Sequence, residues 1–150
     1  MSANNQVDAL NKLITTLYDG ENGYKEAAEE VDSVSLATKF REISQQRYNF
    51  GHEIKPHITK LGGDVDKGGS VAAGAHRVWM DIKSVFSTND EAAILNECIR
   101  GEESAVDTYK EVLNETSFST DVRQVVTRQL ETVERNLAEM RSLAATYEKA

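Results

Sequence analysis

The chain has 150 residues, 39% of them hydrophobic and 28% charged, with a net charge of -8 and a pI near 4.9. That length fits one domain, residues 1–150, able to bury its own core, and the acidic balance excludes a nucleic-acid surface, which needs clustered Lys and Arg. No apolar run reaches the ~20 residues of a membrane span, and a lone cysteine, Cys98, excludes an internal disulfide and suits a reducing cytoplasm.

The opening Met-Ser-Ala-Asn-Asn-Gln lacks the basic and apolar segments of a signal peptide, so a cytoplasmic location is expected. A first helix is predicted over residues 4–31. Leu10, Ile14, Leu17, Tyr24, Ala28 and Val31 recur at steps of three and four, with Glu21 filling the step between Leu17 and Tyr24. Asp19-Gly20-Glu21-Asn22-Gly23 has turn composition, but the apolar phase is the same on both sides of it, which favours one continuous helix. Gly20, Gly23 and Ala27 then form a strip of small residues open to close approach by a neighbour.

A second helix is predicted over residues 35–61, with Leu36, Phe40, Ile43, Arg47, Phe50, Ile54, His57 or Ile58, and Leu61 in its seam. Pro56 lies late in it and removes the N–H that the His52 carbonyl would accept, so a kink is expected there. The link from the first helix is short, which makes the two antiparallel neighbours. Gly62-Gly63-Asp64 through Gly68-Gly69 reads as flexible punctuation, and Ser70 as an N-cap. A shorter amphipathic helix follows over residues 71–86, with Val71, Ala75, Val78, Trp79, Ile82, Val85 and Phe86 on one side.

Asn89-Asp90-Glu91 opens the third long helix, which ends near Leu113 and carries Leu95, Ile99, Glu102, Val106, Tyr109 and Leu113 in its seam. The last helix follows residues 114–119 and runs through Val122, Val126, Gln129, Val133, Leu137, Met140, Ala144 and Tyr147. The order is long, long, short, long, long. At ~1.5 Å per residue the short helix covers about 25 Å, enough to return the chain along a bundle. The expected fold is therefore an all-α, ferritin-like four-helix bundle with a long crossover holding a short fifth helix, in which the second and third long helices are parallel.

Each long helix then places one polar residue mid-seam: Glu21, Arg47, Glu102 and Gln129. Such a layer is where di-metal carboxylate bundles keep their ligands, two lone glutamates and two Glu-x-x-His pairs. Glu21 and Glu102 suit the lone positions, but Phe50 and Thr132 stand where the histidines would follow Arg47 and Gln129. Arginine has donors and no lone pair, so it cannot ligate a metal. Its natural partners are Glu21, Glu102 or both, with Gln129 taking the remaining bonds. The layer is expected to be structural, fixing helix register, with no cofactor. The competing reading is a metal-binding or redox protein holding iron, manganese or zinc through Glu21, Glu102, Glu103 and Glu53 or His57. A third is a small-ligand pocket lined by Phe40, Phe50, Trp79 and Tyr109.

His52 and His57 point to different faces, whereas Glu53 and His57, four apart, share one. No candidate nucleophile stands near His76, which suggests packing or an interface. Cys98, beside the seam, reads as a small buried hydrophobe. The glycine pairs do not make a phosphate loop, because no Lys-Ser or Lys-Thr follows. An enzyme is not the expectation, and self-association as a dimer or binding of a partner protein is.

The stretch from Leu17 to Ala28, Arg47 to Glu53, Leu61-Gly62-Gly63, Gly74 to Trp79 and Gly101-Glu102-Glu103 to Tyr109 together resemble a bacterial family of ferritin-like proteins, the domain-of-unknown-function class 2383. The resemblance spans nearly the whole chain and implies a ferritin-like bundle with no assigned activity, distantly similar to rubrerythrins and stress-induced bundles. It implies that Glu21, Arg47, Glu53, His76, Trp79, Glu102, Glu103 and Tyr109 belong to the family pattern without a catalytic role. It also implies a His-Asp pair in the last helix, where this chain reads Asn136-Leu137.

Overall fold

A computed structural model describes residues 3–65 and 90–149. Among these residues the chain forms four helices: α1 Ala3–Glu30, α2 Val34–Lys60, α3 Glu91–Glu115 and α4 Thr120–Lys149. The expected fifth helix, with His76 and Trp79, lies outside the described residues.

The helix ends follow local chemistry. Ser33 is the N-cap of α2, its hydroxyl accepting from the Leu36 N–H at 3.2 Å. Asp90 caps α3 by accepting from the N–H groups of Ala92 and Ala93. Of the glycines read as flexible punctuation, Gly62 and Gly63 form a hydrogen-bonded helix stop, and Gly68 and Gly69 lie outside the described residues. Gly62 takes φ +83°, its N–H reaches the Thr59 carbonyl, and the Gly63 N–H reaches that of Ile58. This pairing closes the orphan carbonyls of the last turn, and only glycine adopts the left-handed position at no steric cost. Gly63 also lies so close to Val7 that a Cβ there would stand 2.5 Å from both valine methyls. The Asp64 carbonyl accepts from the Asn11 side chain at 2.9 Å, tying this corner further to α1.

α1 passes through Asp19–Gly23 without a break. Two helix-interior glycines each cost about 1 kcal/mol against alanine, so packing must hold the segment helical. Gly20, Gly23 and Ala27 are buried, and Gly20 lies directly against Arg47 of α2. The Ser44 hydroxyl donates to the Glu21 carbonyl at 2.8 Å across that contact.

The contacts between helices set their directions. Tyr24 meets Phe40, while Gly20 lies against Arg47 further down, so α1 and α2 are antiparallel. Tyr109 pairs with Gln129 and Glu103 with Arg141, so α3 and α4 are antiparallel as well. Glu53 meets Arg128 and Lys39 meets Glu139, which opposes α2 to α4. Two reversals from α2 to α3 leave those helices parallel. They stand diagonally across the bundle, and the chain leaving α2 must regain the bundle's length before α3 starts.

The apolar core has two halves. One joins Leu10, Leu13, Ile14 and Leu17 to Phe50, Ile54, Val106, Tyr109, Val126 and Val133. The other joins Tyr24, Ala27, Phe40, Ile43, Leu95, Cys98 and Met140. Between them lie Gly20, Arg47 and Glu102, whereas Gln129 is buried within the first half, flanked by Val126 and Val133 and bonded to Tyr109 and Phe50.

Two glycines test this packing. A methyl at Gly51 meets nothing within 4 Å, so Gly51→Ala should gain helix propensity freely. It is expected to stabilise by about 0.5–1 kcal/mol and to raise Tm by about 1–4 °C. A methyl at Gly20 would sit 3.2 Å from Arg47 Nη1, so Gly20→Ala should show no such gain. Calorimetric melts of both variants check this, and an equal rise for Gly20→Ala would mean that Arg47 is not pinned against α1.

Candidate functional site

Arg47 projects from the middle of α2 into the bundle and is 1% exposed; Glu102 comes from α3 and is 0% exposed. Arg47 Nη2 donates to Glu102 Oε2 at 2.6 Å, across the diagonal of the bundle. A guanidinium is bulky, and α1 makes room for it by presenting Gly20. The cation also lies 5.6 Å from the Tyr24 ring centre, within cation–π range. Burial works against its charge, but the adjacent Glu102 carboxylate outweighs burial and holds the proton more firmly than usual.

Gln129 of α4 joins three helices. Its Oε1 accepts from the Tyr109 hydroxyl at 2.7 Å, and its Nε2 donates to the Phe50 carbonyl at 3.2 Å and to Glu53 at 3.0 Å. Glu53 also accepts from Arg128 at 2.8 Å. Burial alone would raise the Glu53 pKa, but the bonds from Arg128 and Gln129 bring it below the usual carboxylate value. A second polar contact crosses from α4 to α2, where Asn136 donates to Gln46 at 2.7 Å.

Glu21 does not belong to this layer. It is partly exposed, and the centre of α1 belongs to Gly20. The steps from Leu17 to Tyr24 admit either residue, and the volume of Arg47 selects the glycine. Partial burial raises the Glu21 pKa above the ordinary carboxylate value, against the pull of Lys25, Lys55 and His52. Arg47 therefore pairs with Glu102 and not with Glu21.

The metal candidates are not brought together. Glu102 faces Arg47, Glu103 is exposed and paired with Arg141 at 2.8 Å, Glu53 bonds Arg128 and Gln129, and His57 is in the last turn of α2. Among the described residues no group of three or more His, Cys, Asp or Glu side chains is placed to hold a metal. The centre does not fit a di-metal group either, because a fixed guanidinium would repel the ions and takes one carboxylate oxygen for itself. The residues proposed for a small-ligand pocket are also divided. Phe40 lies in one half of the core, Phe50 and Tyr109 in the other, and Trp79 outside the described residues.

Among the described residues, three buried groups, Tyr24, Tyr109 and Cys98, hold their protons more firmly than usual. Burial first, and Glu102 second, push the Tyr24 phenol and the Cys98 thiol well above their ordinary values; burial likewise raises Tyr109, although Arg47 opposes it. All three stay protonated at neutral pH. Sequence reasoning passed over Gly20 as the receptor of Arg47 and Glu53 as a partner of Gln129. It also missed Glu97, buried and gripped by both ends of the Arg100 guanidinium. Periodicity gave no signal for Gly20, because Gly20 and Glu21 share one helical step.

Removing one member of a buried pair strands a charge and typically costs about 3–5 kcal/mol. Arg47→Leu and Glu102→Leu should each destabilise by that order in urea unfolding, whereas the double variant should recover most of the loss. Losses under about 1 kcal/mol would place the pair at the surface. Cys98 should resist a thiol reagent in the folded protein and react at the rate of unfolding as urea is raised. Fast labelling without denaturant would contradict its burial.

A family model described as a domain of unknown function, DUF2383, matches residues 5–115. The match contains α1, α2 and α3 with Gly20, Arg47, Glu53 and Glu102, whereas α4 with Gln129 follows it. No curated protein matches the chain. With the match covering well over half of its length, the chain belongs to the DUF2383 family, a domain of unknown function.

Proposed function

We propose that this protein is a non-enzymatic, ferritin-like bundle that acts through its surface, by pairing with a second copy or a partner protein, in a stress-related role. The observation that carries this reading is the Arg47 guanidinium at the bundle centre, 2.6 Å from Glu102. In this reading it stands where a di-metal bundle would gather carboxylates and histidines, and it makes the layer a register device. The high pKa values of Tyr24, Tyr109 and Cys98 support the non-enzymatic part, since they leave these groups without an acid–base task near neutral pH. No helix among the described residues is long and apolar enough to cross a membrane.

The test is elemental analysis by mass spectrometry on untagged protein from iron-supplemented cells, with thermal melts before and after chelation. The expected result is metal far below one ion per chain and an unchanged Tm. One or two iron or manganese ions per chain, lost in a Glu102→Ala variant that still folds, would replace this reading with a metal-binding one. Light scattering on the same sample reads the self-association, for which a dimer mass is expected.

A further inference from the structure

The middle of α1 reads Asp19-Gly20-Glu21-Asn22-Gly23. Asn22 is the asparagine of this chain that glycine follows; every other asparagine precedes a residue that carries a side chain. A glycine nitrogen has no neighbouring Cβ to hinder it, so it is the backbone nitrogen best able to attack the preceding side-chain amide. Asn22 is exposed, which brings water to that amide, whereas Gly23 is buried.

Helical geometry holds the two groups apart. Inside α1 the Gly23 N–H belongs to the i→i−4 ladder, and closing a five-membered ring requires the Asn22 ψ to leave the helical well at about −42°. The hold is weak at this point, since Gly20 and Gly23 both oppose helix formation and packing keeps the segment wound. Such segments open locally at a lower cost than the whole fold.

We propose that Asn22–Gly23 is a deamidation site guarded by the fold, reacting only when α1 opens. In the open chain the Gly23 nitrogen bonds to Asn22 Cγ, and the side-chain nitrogen leaves as ammonia with the proton that Gly23 gives up. Water then opens the cyclic imide at either carbonyl, leaving an aspartyl or an isoaspartyl linkage and, in both, a new carboxylate. The aspartyl chain can rewind, because position 22 faces solvent. The isoaspartyl chain cannot. Its main chain is one carbon longer between Gly20, which must meet Arg47, and Tyr24, which is fully buried in the core. A transient opening is thereby converted into permanent loss of the native helix, whatever the protein's function.

The test incubates the full chain in mildly alkaline buffer, with and without guanidinium chloride, and follows each asparagine by peptide mass mapping. In denaturant, Asn22 should gain the mass of an amide-to-acid conversion before any other asparagine. In the folded protein the same conversion should be slower by about tenfold or more, the factor that an opening free energy of about 1.4 kcal/mol supplies. Isomerisation at Asp19-Gly20 leaves the mass unchanged and is not confused with this signal. The isoaspartyl product, separated by chromatography, should fail to regain the melting transition of the unmodified chain. Equal rates with and without denaturant would overturn the guarding by the fold, and another asparagine converting first would overturn the site. An isoaspartyl chain that melts like the original would overturn the loss of the helix.

Discussion

A charge pair buried at the centre of an apolar bundle constrains everything around it. Arg47 and Glu102 come from helices that stand diagonally opposite, so their 2.6 Å contact closes only when all four helices keep one register. Sliding one helix by a turn, about 5.4 Å, would leave both charges unpaired in a medium that solvates neither. A buried pair contributes little net stability compared with well-packed apolar side chains. What it adds is discrimination, since misregistered packings of the same apolar seams carry a penalty that the native one avoids.

The other features of the layer follow from housing that pair. Gly20 supplies the volume that the guanidinium occupies, and the cost of a glycine in mid-helix is the consequence. Gln129 uses both ends of its amide, accepting from Tyr109 and donating to the Phe50 carbonyl and Glu53, so that α2, α3 and α4 share one polar junction. The apolar core is divided in two by this layer, with Leu10 to Leu17 on one side and Tyr24 to Ala28 on the other side of α1.

The same geometry bears on chemistry. A di-metal site needs several anionic or neutral ligands with free lone pairs converging on one point, whereas this layer holds a cation hydrogen-bonded to the buried Glu102 carboxylate. Glu103 and Glu53 have their own cationic partners nearer the surface, Arg141 and Arg128. The chain thus has the architecture of a helical bundle with a polar centre, and the charge of that centre is balanced from within the protein.

Much of the fold was legible in the sequence. Seam periodicity located the four long helices, Asp90 marked the start of α3, and the need for a long return path between Leu61 and Asp90 implied that α2 and α3 are parallel. Arg47, Glu102 and Gln129 could be placed in the seam because each interrupts an otherwise apolar row. The glycines after α2 were harder, since a Gly-Gly pair reads as flexible until Val7 and the Ile58 carbonyl close around it. The choice between Gly20 and Glu21 was not legible. Both lie within the same helical step, and periodicity resolves a face but not which of two adjacent residues occupies its centre. Tertiary structure decided it, because a guanidinium from α2 fills the space where a side chain at position 20 would have to stand. The sequence determined the helices and the chemical character of their centre; only packing determined which acid meets the arginine, since that depends on volumes contributed by separate helices.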